Sequence, residues 1–359
     1  MRRYRRKKII VIILVIFAVI AIAFGAAYFY FTYKIDKSLD NITHEELDVE
    51  VEEDEAGDKG YTQIALFGVD SRSSKSAAYG NSDSIIIASI DNVTKEVKLA
   101  SVYRDTYLNV GNDTYRKANY AFAAGGASRA VSMLNSNLDL QITDYISIDF
   151  TALVEMVDLL GGIKVDVSYE EASAMQKYIV ETAYATGYTD EAIYVSEGEQ
   201  TLNGVQAVAY ARIRKLSGGD YSRTERQRIV IKKLMKKIKK ADSSTLLKVL
   251  EAITDDMATS YTTDEIKELI SDASDYKMGD TTGFPTAKTS DTVGSVGSIV
   301  IPVNLDNNVE ELHEFLFPEE DGYTVSDTVE NYSYQIVLNL GQYTADETED
   351  DDSSETDTQ

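Results

Sequence analysis

The stretch "YISIDFTALVEMVDLLGGIKVDV", residues 145–167, decides the fold class. Its opening "YISIDF" predicts a strand, and its closing "IKVDV" predicts another. Between them, apolar residues at 153, 154, 156, 157, 159 and 160 predict a largely buried helix that ends at Gly161. A strand, a helix and a returning strand form a crossover unit, which predicts an α/β sheet covered by helices.

Three apolar runs rich in branched residues precede this unit and predict further strands. They are "TQIALFG" (62–68), "SIIIASI" (84–90) and "VKLASVY" (97–103). The residues from Asp91 to Glu96 supply a turn, so the last two runs predict a hairpin.

Two helices are predicted around a glycine break further along the chain. "TLNGVQAVAYARIR" predicts the first helix, "SGGD" ends it, and the second is predicted from Ser222, with Glu225 in capping-box spacing. The second helix has lysines on one face and apolar residues on the other, namely Ile231, Leu234, Met235 and Ile238.

The N-terminal residues predict a membrane anchor. Residues 1–8 carry six positive charges, and residues 9–31 follow with 23 uncharged positions, enough to cross a hydrocarbon core of about 30 Å. The positive charge predicts that residues 1–8 are a cytoplasmic head and that the rest of the chain lies outside the cell. The alternative is a cleaved signal peptide, but the sequence after Phe31 has no small-residue cleavage site.

Acidic blocks divide the remaining chain. Residues 45–58 hold nine acidic residues and no base, and the last fourteen residues hold eight. Such blocks are usually solvated or disordered. We therefore predict an acidic juxtamembrane linker over 32–60, an extracytoplasmic domain over 61–320, and a C-terminal extension with an acidic disordered tail over 321–359. The absence of cysteine excludes disulfides and thiolate chemistry.

The sequence lacks the motifs of several familiar catalytic mechanisms. The chain contains no GxxxxGK[ST], HExxH or GxSxG motif. Its two histidines, His44 and His313, lie in the predicted linker and near the end of the predicted domain. This placement argues against an imidazole triad or a zinc site.

Carboxylate and guanidinium groups cluster at the ends of the predicted strands. Asp70 and Arg72 follow the first strand, Asp83 precedes the second, and Arg104 and Asp105 follow the third. Any one such pair would be interpreted as a surface ion pair or a turn. Five groups at three strand ends favour a binding site, because ligands bind at such edges of open α/β sheets.

A second group of arginines lies in "ARIRKLSGGDYSRTERQR", residues 211–228. This stretch holds five of the thirteen arginines, although the chain has a formal net charge of -25. Arginine forks match phosphate oxygens, and carboxylates without histidine or cysteine suit Mg²⁺ or Mn²⁺. Together the two groups predict a phosphate-handling site, since phosphoryl transfer depends largely on positioning and charge neutralisation.

Seven ordered motifs make the chain resemble the LytR-CpsA-Psr (LCP) family over about residues 62–240. They are "LFGVDSR", "NSDSIIIASID", "VKLASVYRDTYLNV", "KANYAFAAGG", "DFTALVEMVDLLGGIKVDV", "LNGVQAVAYARIR" and "GDYSRTERQR". The resemblance implies an α/β/α sandwich with a central mixed β-sheet, preceded by one N-terminal transmembrane helix. It also implies transfer of a glycopolymer, of the wall teichoic acid or capsular polysaccharide type, from a polyprenyl-pyrophosphate carrier to peptidoglycan through a phosphodiester bond.

The resemblance also implies the roles of individual residues. Asp70 and Asp83 are expected at a Mg²⁺ or Mn²⁺ site. The expected catalytic residues are Asp83, Arg104, Asp105, Arg212 and Arg214, and either Asp83 or Asp105 could assist deprotonation of the acceptor. The residues expected to bind the pyrophosphate group are Arg72, Arg104, Lys117, Asn119, Arg212, Arg214, Asp220, Arg223, Arg226 and Gln227. One departure from the family pattern is Tyr103, which replaces the usual proline.

The expected partners are a polyprenyl-pyrophosphate-linked glycan, peptidoglycan and the cell membrane. Two alternatives remain open at this point: a protein that binds the lipid carrier with little turnover, and a pyrophosphatase that acts on it. A transcriptional attenuator is opposed by the predicted topology, because only eight residues would lie in the cytoplasm and the large domain is acidic. DNA binding generally relies on a basic patch, so no nucleic-acid partner is expected.

Overall fold

The computed structural model describes residues 43–44, 46–47, 60–70, 77–78, 80–191, 193–214, 216, 219–318 and 322–345. Its strands are β1 (Thr43–His44), β2 (Tyr61–Asp70), β3 (Asn81–Asp91), β4 (Glu96–Val102), β5 (Tyr107–Asn109), β6 (Tyr115–Lys117), β7 (Asp144–Asp149), β8 (Ile163–Val167), β9 (Gly198–Leu202), β10 (Met257–Thr259), β11 (Lys277–Phe284), β12 (Lys288–Val293) and β13 (Gly297–Pro302). Its helices are α1 (Asn119–Leu138), α2 (Phe150–Leu159), α3 (Tyr169–Thr186), α4 (Gly204–Ala211), α5 (Gly219–Ile238), α6 (Ser243–Ile253), α7 (Thr263–Asp272), α8 (Leu305–Leu316) and α9 (Asp327–Leu340).

A mixed sheet of seven strands forms the centre, in the order β1-β10-β7-β2-β3-β4-β11. The strands β2, β3 and β4 pair antiparallel, while β7 runs parallel to β2 and β11 runs parallel to β4. The three predicted strands and the hairpin between β3 and β4 are therefore confirmed.

Helices cover both faces of this sheet. Because successive side chains of a strand point to opposite faces, the consecutive isoleucines of β3 divide between two cores. Ile85 and Ile87 pack with α1, α8 and α9, whereas Ile86 and Ile90 pack with α2 to α7. This is the α/β/α sandwich that the sequence predicts.

The returning strand of the crossover unit does not join the central sheet. The predicted elements exist as β7, α2 and β8, but β8 pairs antiparallel with β9 in a separate two-stranded ribbon. Gly161 and Gly162 both have positive φ angles, 76° and 75°, and turn the chain after α2. A Cβ atom at Gly162 would lie only 2.6 Å from Thr201 Cγ2, so this turn brings the start of β8 directly against β9.

The fold continues beyond the predicted boundary at residue 320. Val329 and Ile336 are two helical turns apart on α9, and both are buried in the core that contains α1. At the other end, Thr43–His44 of the predicted linker pairs with β10 at the sheet edge. The second helix of the arginine region begins at Gly219, three residues before the predicted Ser222.

The predicted cytoplasmic head, the anchor at 9–31, most of the linker and the acidic tail at 346–359 lie outside the described residues. Among the residues that the structure does describe, no helix is both long enough and apolar enough to cross a membrane.

Asp256, just before β10, makes the stability of the fold depend on pH. Burial and the neighbouring Asp149, Glu155 and Asp255 raise the pKa of Asp256 from 3.8 to about 6. The folded chain thus holds this proton more tightly than the unfolded chain, and the resulting stabilisation is lost as the pH rises from about 4 to about 6.

We expect Asp256→Asn to stabilise the fold more at pH 7 than at pH 4. The difference should be about 1 kcal/mol, because one pKa unit is worth about 1.4 kcal/mol and solvent screens a partly buried group. Urea unfolding at the two pH values measures it, with Asp166→Asn, at an exposed position of β8, as a control for the loss of one negative charge. Equal stabilisation at both pH values would contradict this account.

Candidate active site

A cavity of about 840 Å³ lies between one face of the sheet and the helices that cover it. Its polar end is lined by Asp70, Asp83, Arg104, Arg212, Arg214, Arg223 and Gln227. The rest of its wall is mostly apolar and includes Ile86, Ile146 and Met257 of the sheet. The cavity therefore joins a charged end to an apolar interior.

Strand directions place the charged end at one edge of the sheet. Because β2, β3 and β4 pair antiparallel, the end of β2, the start of β3 and the end of β4 meet there. A β-bulge interrupts the pairing at this edge, since Ser84 pairs with Gly68 while Ser82 pairs with Val69. Asp83 is the extra residue of the bulge, and bulges commonly redirect a side chain.

Asp83 connects two of the predicted arginines. Arg104 Nη1 lies 2.5 Å from Asp83 Oδ1, and Arg214 Nη2 lies 3.2 Å from Asp83 Oδ2. Gln227 Nε2 donates a hydrogen bond to the Asp83 carbonyl oxygen over 3.3 Å. The loops after β4 and α4, and helix α5, thus meet at the start of β3, as the sequence predicts.

Arg212 is held by α2 and α3. Its guanidinium lies 4.7 Å from the Phe150 ring centroid and 5.8 Å from that of Tyr178. It donates a 2.8 Å hydrogen bond to Thr182 Oγ1 and lies 3.7 Å from a carboxylate oxygen of Glu181. Sequence reasoning missed these four partners, because no local signal in α2 or α3 ties these helices to the arginine region.

Arg223 and Gln227 are one helical turn apart on α5, and both line the cavity. Arg223 is buried, with 2% of its surface exposed. Both side chains therefore lie at the polar end of the cavity, and their role in binding pyrophosphate stays a prediction.

Arg226 lies behind the cavity wall rather than in it. It is 5% exposed, donates a 2.9 Å hydrogen bond to the Ile213 carbonyl oxygen, and lies 3.5 Å from a Glu171 carboxylate oxygen. Burial and the Glu171 carboxylate raise the pKa of the Tyr210 hydroxyl beside this pair. Because Ile213 separates Arg212 from Arg214, Arg226 supports the backbone that carries both. This position differs from the implied role of Arg226 as a direct ligand.

Asp105, Lys117 and Asn119 brace Arg104 from outside the cavity lining. Asp105 lies 3.2 Å from Lys117 Nζ and 3.8 Å from Arg104 Nε. The backbone N–H of Asn119, at the start of α1, donates to the Arg104 carbonyl oxygen over 3.0 Å. Tyr103 keeps the adjacent turn in place, since its backbone N–H donates to the Phe284 carbonyl oxygen of β11 over 3.0 Å.

Two predicted site residues cannot be placed. Arg72 lies outside the described residues, and Asp220 belongs to α5 but its side chain is not among those described.

The donor atoms at the polar end fit a hard divalent cation. Asp70 and Asp83 both line it. In the part of the chain that the structure describes, no group of three or more acidic or histidine side chains could hold a metal ion. Mg²⁺ usually binds through one or two carboxylates together with substrate phosphates and water, and Asp70 and Asp83 match the protein part of such a site.

The apolar face predicted for α5 lines the cavity and also packs against the core. Ile231, Leu234, Met235 and Ile238 all contribute to its wall. Opposite residues come from α6 and α7, including Leu250, Ile253, Ile266 and Ile270. The sequence predicts this face correctly, but periodicity alone does not distinguish a cavity wall from a packed core.

Comparisons with known proteins support the family resemblance. The LytR_cpsA_psr family model matches residues 27–306. One curated relative is the polyisoprenyl-teichoic acid–peptidoglycan teichoic acid transferase TagU of Enterococcus faecalis, which is 33% identical over 217 residues. That match covers 60% of this chain and 65% of the relative, so the chain spans a little under two thirds of the relative's length.

Solved structures share the fold. A protein from Streptococcus agalactiae is 25% identical, with a TM-score of 0.63 over 82% of this chain and 100% of that one. The LytR-CPS2A-psr family protein TagT with bound octaprenyl pyrophosphate lipid is 20% identical, with a TM-score of 0.54 over 77% of this chain and 99% of that one. Since the family model covers well over half of the sequence, the chain belongs to the LytR-CpsA-Psr family.

Proposed function

We propose that this protein transfers a glycopolymer of the wall teichoic acid or capsular polysaccharide type from polyprenyl pyrophosphate to peptidoglycan. The observation that carries the proposal is the continuity of one cavity, charged at the sheet edge and apolar beyond it. A lipid pyrophosphate has the same two parts in the same order. The names of the TagU relative and of the lipid-bound TagT structure support this assignment.

The charged end suits a pyrophosphate group. Arg104, Arg214 and Arg223 offer guanidinium forks that can donate in pairs to phosphate oxygens. Arg212 is held by contacts with the Phe150 and Tyr178 rings and by its hydrogen bond to Thr182, so little motion is lost when it binds an anion. The apolar interior then takes the first isoprene units of the tail, because burial of hydrocarbon is favourable at about 25 cal/mol per Å².

The proposed reaction is attack by an acceptor hydroxyl of peptidoglycan on the sugar-linked phosphorus. The new bond joins the acceptor oxygen to this phosphorus, the bond to the bridging oxygen breaks, and polyprenyl phosphate leaves. The arginines stabilise the charge that develops on the leaving phosphate. Asp83 or Asp105 takes the hydroxyl proton; Asp83 lines the cavity and Asp105 lies beside Arg104 on its outer side.

We further propose that Asp70 and Asp83 hold Mg²⁺ or Mn²⁺ when the lipid is bound. Such an ion would neutralise part of the negative charge on the pyrophosphate oxygens.

For the cellular location, we propose that residues 9–31 anchor the chain in the cell membrane by a single pass, with residues 1–8 in the cytoplasm and the catalytic domain outside. The uncharged run of 23 residues and the six positive charges before it support this topology.

A transfer assay with Asp83→Ala tests the proposed function. Full-length protein is incubated with a polyprenyl-pyrophosphate glycan, peptidoglycan and Mg²⁺, and linked product is measured together with lipid binding. We expect the variant to lose at least about 100-fold in turnover while it still binds lipid, because it keeps the Arg104 and Arg214 side chains and the pyrophosphate supplies the counter-charge that Asp83 provided.

The outcomes separate the alternatives. If wild-type protein and Asp83→Ala bind the lipid equally and neither forms product, the chain is a lipid-binding protein rather than a transferase. If wild-type protein releases phosphorylated glycan without an acceptor, it is a pyrophosphatase.

The supporting role of Arg226 predicts that Glu171→Gln slows transfer, although Glu171 lies outside the cavity lining. Loss of the ion pair frees the guanidinium that fixes the Ile213 carbonyl oxygen, and we expect kcat/KM to fall about tenfold, equivalent to about 1.4 kcal/mol. Glu199→Gln is the matched control, because Glu199 forms a surface ion pair with Lys164. If Arg226 were itself a phosphate ligand, removal of the Glu171 carboxylate would instead leave lipid binding unchanged or tighter.

A further inference from the structure

The register of β1 fixes the direction in which this strand crosses the sheet. β1 runs parallel to β10, β10 runs antiparallel to β7, and β7 runs parallel to β2. β1 is therefore antiparallel to β2. Since β2 ends at Asp70 on the edge that carries the candidate site, β1 begins on the side of that edge.

The residues that pair across β1, β10, β7 and β2 give the same direction for β1. Thr43 lies level with Ala258, Ser147 and Phe67, and His44 lies level with Thr259, Ile146 and Leu66. The next row towards the site contains Met257, Ile148 and Gly68. Thr43, the first residue of β1, is thus nearer than His44 to the end of the sheet where Asp70, Asp83 and Arg104 lie.

The chain between the proposed anchor and β1 is short. Eleven residues, 32–42, separate Phe31 from Thr43. Even a fully extended chain of this length spans no more than about 40 Å. By comparison, the 11 residues of β3 extend about 35 Å from the site edge to the opposite end of the sheet, where the turn with Val93 lies.

Exposed cations lie near the same edge. The Arg214 side chain is 42% exposed and the Lys177 side chain is 67% exposed, and both line the mouth of the cavity. Each of these cations also lies near a carboxylate, Asp83 for Arg214 and Glu181 for Lys177, and anionic phosphate headgroups can compete with these carboxylates for them.

We propose that the edge of the sheet formed by the end of β2 and the start of β3 faces a lipid bilayer with anionic headgroups. The polar end of the cavity then lies at the level of those headgroups, and the β3–β4 turn points away from the membrane. The bilayer as partner rests on the proposed anchor and lipid substrate, whereas the orientation follows from the strand register.

Because the chain has no cysteine, single-cysteine labelling can test this orientation. Asn81→Cys places a donor dye at the start of β3, and Val93→Cys places it in the opposite turn, where Val93 is 87% exposed. Each full-length variant is inserted into vesicles of phosphatidylethanolamine and phosphatidylglycerol that carry an acceptor dye on the headgroups. We expect the distance of closest approach to be about 30 Å shorter for the Asn81 position.

Equal distances for the two positions, or a shorter distance for Val93, would overturn the orientation. Vesicle flotation is measured on the same samples, and protein that does not float with the lipid overturns both the anchor and the orientation. A transfer assay on vesicles that carry the unlabelled wild-type protein keeps the two proposals separate. Correct distances in the labelled variants without product from the wild-type protein support the orientation and count against the transferase.

Discussion

The bridge from Asp83 to Arg104 and Arg214 is the interaction on which the site depends. It joins residues 131 positions apart in the chain, and it brings both guanidinium groups to the bulged start of β3. Arginines at such close range would repel one another without a counter-charge, and the Asp83 carboxylate supplies it. A lipid pyrophosphate carries more negative charge than one carboxylate, so the same arginines can bind it in a geometry that the protein has already formed.

The layers of the fold explain why the bridge lies beside an apolar cavity. The sheet face that carries Ile86, Ile146 and Met257 forms one wall, and α5 forms another. Helix α5 begins at the arginine region and then runs along the cavity with Ile231, Leu234, Met235 and Ile238. One helix therefore supplies Arg223 and Gln227 at the polar end as well as part of the apolar wall, which fixes the position of these two side chains relative to that wall.

The sequence predicts much of this arrangement because its signals are local. Strand ends bearing Asp70, Asp83 and Arg104 predict the polar edge, and the period of α5 predicts its apolar face. Local patterns do not predict contacts between residues that are distant in the sequence. For this reason the pairing of β8 with β9, outside the central sheet, and the ion pair of Arg226 with Glu171, outside the cavity lining, were not predicted. The clamp on Arg212 by Phe150 and Thr182 also depends on tertiary packing, which no pattern within α3 records.

The central claim is that the charged edge and the apolar interior bind one lipid pyrophosphate, and photo-crosslinking tests it most directly. A polyprenyl pyrophosphate with a photoreactive group on its tail is bound to the full-length protein, irradiated, and mapped by mass spectrometry. This account predicts crosslinks in residues 231–238, 246–253 and 266–273 that unlabelled lipid competes away. Competed crosslinks confined to α1, α8 and α9, on the opposite face of the sheet, would contradict it.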